Sequence, residues 1–439
     1  MMRNEMKQAA LAAIEANKER LMQIGRDLYS MPEPGFLEAR TSAYVKERLE
    51  ETGLAVKSGI AITGLTARAK GRKSLMNVGL MGELDSLIMP SHPKAAPGTG
   101  YFHGCGHHAQ LTTVIGAAIG LMESGVAGSL DGDLTFIAVP AEEATLPDLR
   151  RTLIREGKIA FTSGKQEMIR LGVFDDIDMV LCSHMLGKTP DPRIWVGHSW
   201  NGILQKSVRY TGKSAHAGLA PDTGINALEA ALCGLNAINA LRERFRDEDH
   251  VRIHYIITKG GDSPAVVPDD VRLEFGVRAA TFEAMMHANE MVDRALRFGG
   301  ESVGAGVEIH DFGGILPCHQ SREMGELYLK NAEALLGQNA ASNVFGEHRG
   351  SSTDCGEVAS LMPLIHPYFG GAVGLPHGLD FDVVNDYAAY VVPAKVAAMT
   401  VIDLLGDDAR EAKAVKAAYK PVFANKEEYL EYAGKLQSS

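Results

Sequence analysis

Short apolar runs that alternate with helical stretches organise the first half of the chain. Three runs have the length and composition of buried strands, and the stretch 111–124 between two of them has the apolar periodicity of a helix. The predicted strands are 77–81, 134–139 and 179–182. Parallel strands need long crossover connections, so this strand–helix–strand rhythm predicts an α/β fold with a mostly parallel sheet.

Two successive helices are predicted before the first strand. Apolar residues recur at helical spacing from Leu11 to Leu28, and the pattern ends at Met31-Pro-Glu-Pro-Gly35, a sequence that stops a helix. A second helix is predicted over 37–52.

The middle of the chain has a different pattern. Strands at 205–210, 251–257 and 271–277 alternate apolar and polar residues, with helices at about 224–245 and 282–298. This β-α-β-β-α order is typical of a ferredoxin-like module. We therefore predict a discontinuous α/β domain over 1–200 and 314–439, interrupted by a small α+β domain over 201–313.

Composition excludes several classes of partner. The net charge of -11 disfavours non-specific binding to nucleic acid or to an anionic membrane, and no apolar run approaches the ~20 residues of a membrane span. The N-terminal 26 residues alternate in charge, so no signal peptide is expected. The five scattered cysteines suit a reducing cytoplasm.

The densest chemical motif is Phe102-His-Gly-Cys-Gly-His-His108. A thiolate at Cys105 and an imidazole at His107, separated by a glycine that permits a tight turn, suit one or two divalent metals. The alternative is a loop with incidental histidines.

A second motif, Pro140-Ala-Glu-Glu143, directly follows a predicted strand. The carboxyl ends of strands in open α/β sheets are where ligands bind. Adjacent side chains diverge, so one carboxylate can ligate a metal while the other takes the proton of an attacking water. A solvated acidic loop is the other interpretation of Glu142 and Glu143.

Two more histidines lie at structural boundaries. His184 closes a predicted strand and His377 follows a glycine-rich turn, and each alone would be an ordinary surface residue. Together with the earlier motifs they complete a set of five ligands, enough for a dinuclear site with a bridging thiolate: Cys105, His107, Glu143, His184 and His377.

The order of these motifs, with Ser214-Ala-His-Ala-Gly218 between them, resembles the aminoacylase/carboxypeptidase family of metallopeptidases. The chain is most similar to the amidohydrolase branch, which contains hippurate, auxin-conjugate and aminobenzoyl-glutamate hydrolases. Motifs like those of the last group are Gly82-Glu-Leu-Asp85, Gly172-Val-Phe-Asp-Asp176 and Ser352-Thr-Asp354. The resemblance implies a parallel-sheet catalytic domain and an inserted ferredoxin-like domain that serves dimerisation or acts as a lid.

The resemblance also implies roles for individual residues. Glu142 would be the general base, and Asp85 would orient the metal ligands from behind. His216 would reach the partner subunit's site and stabilise the developing oxyanion. Arg278 would bind a substrate carboxylate, with Arg209 as a second candidate, although an arginine on an exposed strand is the alternative for both.

This chain departs from the family pattern in three places. The family continues after Glu143 with a glycine-rich turn, whereas this chain has an insertion that runs to Gln166 and is expected to reshape the mouth of the site. Ala265 stands where relatives often carry asparagine, and His108 stands where they have Asp or Asn. These differences leave the metal residues intact and the substrate open.

Three functions follow as hypotheses. The first is amide hydrolysis of an N-acyl or aminobenzoyl amino acid by metal-activated water. The second is hydrolytic deamination of an activated aromatic amine such as 5-nitroanthranilate, which one family member carries out. The third is a non-catalytic dimeric scaffold. The products separate the first two, because deamination releases ammonia and a phenol.

The implied cofactor is one or two divalent ions per subunit. Thiolate and imidazole suit zinc, and the carboxylate also allows manganese. The expected partners are a small, carboxylate-bearing aromatic substrate and a second copy of the chain in a homodimer or higher homo-oligomer.

Overall fold

The structure, a computed structural model, describes residues 2–437. Its α-helices are α1 (Arg3–Ala16), α2 (Lys18–Tyr29), α3 (Ala39–Glu50), α4 (His107–Glu123), α5 (Pro147–Arg155), α6 (Gly164–Arg170), α7 (Ala227–Leu241), α8 (Phe282–Val303), α9 (Arg322–Leu336), α10 (Cys355–Ala359), α11 (Val392–Leu405), α12 (Arg410–Ala418) and α13 (Lys426–Gln437). Its strands are β1 (Val56–Ile60), β2 (Gly64–Ala69), β3 (Asn77–Glu83), β4 (Leu87–Ile88), β5 (Tyr101–Phe102), β6 (Asp133–Val139), β7 (Met179–Cys182), β8 (His184–Met185), β9 (Ile194–Val196), β10 (Ser199–Trp200), β11 (Gly202–Thr211), β12 (Arg252–Lys259), β13 (Asp270–Ala279), β14 (Gly306–Ile315), β15 (Ala341–Asn343), β16 (His348–Arg349), β17 (Leu364–Ile365), β18 (Tyr368–Phe369), β19 (Ala372–Val373) and β20 (Asp382–Val383).

The chain divides into two compact units. The larger contains the chain up to His198, His319–Glu347 and Glu357–Pro421, and the smaller contains Ser199–Cys318, His348–Gly356 and the chain from Val422 onwards. This grouping differs from the predicted division at 348–356 and in the C-terminal stretch. That stretch lies with the smaller unit because α13 packs against β14 and its aromatic residues contact Phe282.

The larger unit is built on a six-stranded sheet in the order β1-β2-β6-β3-β7-β17. The pairs from β6 to β17 are parallel, and β1 and β2 add an antiparallel edge. Every residue of β3 and β6 is buried, as expected for parallel strands that are covered on both faces. The predicted mostly parallel α/β fold is confirmed.

Helix α4 is the central helix of this unit. Its residues from His107 to Leu121 are all buried, and it packs against β3, α1, α2 and α11. Glycine allows this close packing, because a Cβ at Gly120 would lie 2.6 Å from Ile14 of α1. The helix begins four residues before the predicted start at 111, which places the metal motif at its N-terminus.

The prediction of one helix through Leu11–Leu28 is wrong, because the structure has two. Helix α1 ends before Asn17 and α2 begins after it. The Asn17 amide donates to the carbonyl oxygen of Ala13 and competes with the helical backbone for that acceptor. The buried apolar residues of α1 and α2 continue the same helical spacing across Asn17, so the apolar pattern alone does not reveal the break between the two helices.

The smaller unit has a four-stranded antiparallel sheet in the order β12-β13-β11-β14. Helices α7 and α8 share its core and begin at side-chain caps, with Asn226 accepting from two backbone N–H groups of α7 and Thr281 from one of α8. This arrangement agrees with the predicted ferredoxin-like module and adds a fourth strand, β14, that the sequence pattern did not predict.

One helical stretch in the described residues is long and apolar enough to cross a membrane. It covers Tyr387–Leu405, has a mean hydropathy of 1.6, and is fully buried inside the protein. The prediction that no apolar run approaches this length is therefore wrong for residues 387–405. Its complete burial is typical of a core helix.

Candidate metal centre

The candidate site lies at one edge of the larger unit's sheet. Strands β3, β6 and β7 are parallel neighbours, so their carboxyl ends meet there. Asp85 follows β3, Glu142 and Glu143 follow β6, and His184 follows β7. The sheet therefore brings together three motifs that are far apart in the chain, as expected for an open α/β fold.

A tight turn delivers Cys105 and His107 to the same edge. Gly106 has φ 89° and is the residue before α4, where His107 is the first helical residue. A Cβ at Gly106 would lie 2.7 Å from the Cβ of Met185, so the left-handed backbone and the close approach both require glycine.

The five predicted ligands form two groups that share the thiol. The Sγ of Cys105 lies 3.3 Å from Nε2 of His184 and 3.3 Å from Nε2 of His377. His107 completes the first group, and Glu143 completes the second with its Oε1 3.2 Å from His377 Nε2. Donors about 2.0–2.3 Å from one ion lie roughly 3–3.5 Å from each other, so these separations fit the edges of coordination polyhedra.

Unsatisfied buried atoms also fit a cation. Oε1 of Glu143, Nε2 of His107 and Oδ1 of Asp85 are buried and have no hydrogen-bond partner among residues 2–437. Such atoms are costly in a folded protein unless an ion or a water satisfies them. The donor set therefore fits divalent cations.

Asp85 controls the orientation of its neighbours. The carbonyl oxygen of Asp85 lies 2.9 Å from Nδ1 of His107, and its Oδ2 accepts the backbone N–H of Glu143 at 2.9 Å. Because a carbonyl only accepts, Nδ1 carries the proton and Nε2 is left to ligate. One residue thus fixes an imidazole and the adjacent strand end, as a residue behind a metal site does.

Without a bound cation, the local electrostatics favour the protonated forms of two proposed ligands, Cys105 and His107. Burial and the nearby Glu143 raise the pKa of the Cys105 thiol well above its usual value. Burial lowers the pKa of His107, but the charges of Glu83 and Cys105 outweigh it and raise that pKa well above normal. Burial and His366 lower the pKa of His184 to about 3, so it is neutral. Cation binding must therefore displace protons from Cys105 and His107, and apparent affinity should rise with pH.

The two adjacent glutamates point to different groups. Oε1 of Glu143 faces His377, whereas Oε2 of Glu142 lies 3.9 Å from Nε2 of His107, too far for a shared edge in a tetrahedral shell. Ala141 before them has φ 55°, and its backbone N–H donates to the buried Glu38 at 2.8 Å. This strained residue directly precedes the two glutamates.

The remaining predicted residues lie in the smaller unit. His216 is exposed, and its Nδ1 accepts the backbone N–H groups of Gly218 and Leu219. Arg209 is already paired with Asp270 at 2.8 Å. Arg278 pairs with no carboxylate among residues 2–437 and donates to Ser352 at 2.6 Å. Burial lowers its pKa. Because this half-buried guanidinium has no carboxylate partner among the described residues, Arg278 is the better candidate for binding an anion.

Sequence reasoning missed two charged residues beside the centre, Glu83 and Lys165. Glu83 is the last residue of β3, and its position at a buried strand end, two residues before Asp85, was a usable signal. Lys165 lies in the insertion after Glu143, within a stretch rich in charges, and no sequence feature marks it as buried.

Comparisons with known proteins agree with this architecture. The family description "Peptidase dimerisation domain" matches residues 200–302. Mouse Xaa-Arg dipeptidase is 26% identical over 91% of this chain and 89% of its own length. A p-aminobenzoyl-glutamate hydrolase polypeptide from Escherichia coli is 28% identical over 64% of this chain and 55% of its own length.

Solved structures show the same fold. A dinuclear metal-binding peptidase of the M20 family from Bacillus subtilis superposes with a TM-score of 0.71 at 22% identity, covering 89% of this chain and 99% of that one. These comparisons confirm the predicted relationship to the metallopeptidases and the predicted two-part architecture, and the named relatives are hydrolases.

Proposed function

Because the chain carries a peptidase dimerisation domain and is related to hydrolases of amide bonds, we propose that it is a metal-dependent amidohydrolase acting on an N-acyl or aminobenzoyl amino acid. The observation that carries this proposal is the pair of ligand groups sharing Cys105, with Glu142 beside them and outside both. We further propose a cytoplasmic homodimer that binds two Mn²⁺ or Zn²⁺ ions per subunit.

Each residue has a distinct task in this proposal. Bound divalent ions supply positive charge that polarises the amide carbonyl and makes water acidic. Glu142 accepts the proton of the attacking water and passes it to the leaving amine. Asp85 holds His107 and the Glu143 backbone in place. Arg278 binds the substrate carboxylate, with Arg209 as the weaker candidate, and His216 stabilises the oxyanion in the partner's site.

The two glutamates give a matched test. Glu142→Gln should retain both ions and lose about 10²–10⁴-fold in kcat, because only the proton acceptor is removed. Glu143→Gln should lose metal as well as activity. Metal content by mass spectrometry and turnover of the same preparations separate the two outcomes, and near-normal turnover of Glu142→Gln would show that another group is the base.

The substrate screen should include N-acetyl amino acids, aminobenzoyl-glutamate, dipeptides that end in arginine, and 5-nitroanthranilate, since the named relatives include a dipeptidase and an aminobenzoyl-glutamate hydrolase. An acid plus an amine supports amide hydrolysis. Ammonia plus a phenol supports deamination, the second candidate. This candidate is retained because the inserted helix α5, shortly after Glu143, changes the structure around the end of β6 where the proposed base lies.

A further inference from the structure

A third group of ligand atoms lies at the metal centre and includes a residue that the five-ligand set leaves out. Glu83 has a side chain only 1% exposed, and its carboxylate lies with His107 and Glu142 in a cluster whose donor atoms are all within 4.8 Å of one another. A fully buried carboxylate in such a place needs a cationic partner.

The distance from Glu83 to His107 is that of two ligands on one ion. Oε2 of Glu83 lies 3.1 Å from Nε2 of His107, within the roughly 3–3.5 Å expected for neighbouring donors. Nδ1 of this histidine is committed to Asp85, so Nε2 is the nitrogen available to a cation. The separation is close to the 3.3 Å between Cys105 Sγ and His184 Nε2 in the group that shares His107.

Lys165 fixes the other half of the carboxylate. Its ammonium group is 0% exposed and lies 2.5 Å from Oε1 of Glu83. Gln110 donates to Oε2 at 2.8 Å from helix α4. These contacts engage Oε1 with the ammonium group and leave Oε2 as the oxygen nearer to His107, so the carboxylate is positioned to bind through one oxygen.

Charge balance explains why a lysine is there. Two divalent ions are balanced by the thiolate of Cys105 and the carboxylates of Asp85, Glu142 and Glu143. Glu83 adds a further negative charge, and Lys165 neutralises it inside the protein. Lys165 comes from α6, at the end of the insertion after Glu143, so the inserted segment supplies a buried counter-charge to the metal centre.

We propose that Glu83 is a sixth protein ligand of the metal centre, binding through Oε2 to the same ion as His107, and that Lys165 is its positioning residue. This inference rests on the proposed metal centre. An added carboxylate oxygen beside the imidazole of His107 makes the donor set of this ion harder, which favours Mn²⁺ over Zn²⁺ relative to the five-ligand set.

The test uses the full chain loaded with Co²⁺, whose visible absorption reports the number and type of ligands. Glu83→Gln removes the ligand but leaves Lys165 without its partner, so Glu83→Gln/Lys165→Met removes both charges and protects folding. In the double variant we expect the affinity for one ion to fall about tenfold or more, with a changed Co²⁺ spectrum, while the second ion binds as in the wild type. Lys165→Met alone should keep the wild-type set of ligand bands.

The control is Asp133→Asn, another buried, lysine-paired carboxylate, at the opposite end of the neighbouring strand. It should leave metal affinity and spectrum unchanged. Wild-type affinity and an unchanged spectrum in the double variant would overturn the assignment of Glu83. A wild-type chain that binds no divalent ion would instead refute the metal centre itself.

Discussion

At the scale of single residues, Glu38 stabilises the backbone turn that directly precedes Glu142 and Glu143. Glu38 is fully buried, accepts the N–H of Ala141 at 2.8 Å, and contacts Thr63 Oγ1 at 2.6 Å. Ala141 has φ 55°, a strained backbone for a residue with a Cβ. This hydrogen bond thus stabilises the strained turn that precedes Glu142, the proposed base, and Glu143, a proposed ligand.

Titration of Glu38 gives a prediction for stability. Burial, followed by the negative charge of Asp85, raises its pKa to about 8 from a usual value of 4.5. A raised carboxyl pKa stabilises the protein fully below the unfolded value, and this stabilisation is lost as pH rises through about 8. Glu38→Gln keeps the donors and acceptors but not the titration, so its stability relative to wild type should increase between pH 5 and 8.

The measurement is urea unfolding of the metal-free protein at several pH values. Glu47→Gln, an exposed carboxylate on α3, is the control and should follow the wild-type profile. Parallel profiles for wild type and Glu38→Gln would mean that Glu38 ionises normally.

The metal-site residues were predictable to different degrees. Cys105, His107 and the two glutamates stand in motifs at strand or helix ends, where the sheet must bring them together. Glu38 and Lys165 were not predictable, because their importance comes from burial against segments more than eighty residues away, such as β3 for Lys165.

At the scale of elements, the segment after Glu143 is organised around one arginine. Arg150 on α5 donates to the carbonyl oxygens of Glu143, Thr145 and Thr162, at both ends of the inserted stretch. Its planar guanidinium can satisfy acceptors in several directions at once, which an ammonium cannot. The insertion is therefore a folded element that is hydrogen-bonded to the backbone of Glu143, a proposed ligand.

Replacing this arginine should loosen the inserted segment. Arg150→Lys leaves buried carbonyls unsatisfied and should cost about 1–3 kcal/mol locally. We expect faster amide hydrogen exchange over 144–163 and a lower kcat. Arg151→Lys is the matched control, because the neighbouring side chain is 71% exposed and pairs with Asp148, itself on the surface of α5. Equal exchange in both variants would contradict the role of Arg150.

Comparison of predicted and observed element boundaries shows which elements the sequence periodicity was sufficient to locate. The predicted strand 179–182 matches β7, and 134–139 matches β6 to within one residue, because buried parallel strands are continuous apolar runs. Strand β14 was missed because its residues are mostly half-buried and carry charges between small residues. Helix α4 was predicted late because its first turn contains two histidines rather than apolar residues.

At the scale of the whole molecule, the smaller unit presents an open sheet edge. Strand β12 is the outermost strand next to β13, and its side chains Ile256 and Ile257 are 60% and 41% exposed. Exposed apolar residues on an edge strand favour pairing with another chain. This agrees with the dimerisation domain matched over 200–302 and favours β12 as part of the proposed subunit interface.

A charge on this edge should weaken the proposed dimer. Ile256→Lys would place an unpaired ammonium at the interface, and we expect the dimer Kd to rise about tenfold or more, a change of about 1.4 kcal/mol or more. Analytical ultracentrifugation over a concentration series measures it. Leu171→Lys, on an exposed apolar residue of the larger unit, should leave Kd unchanged. If both variants associate like wild type, β12 is not at the interface.

The spread of the ligands along the chain has a consequence for synthesis. Cys105, His107 and Glu143 leave the ribosome early, but His377 is translated only after the whole stretch Ser199–Cys318 of the smaller unit. A nascent chain therefore carries an incomplete set of donors while that unit folds. Since a partial set holds an ion weakly, stable loading of the proposed centre must await translation of His377 and folding of the segment that carries it.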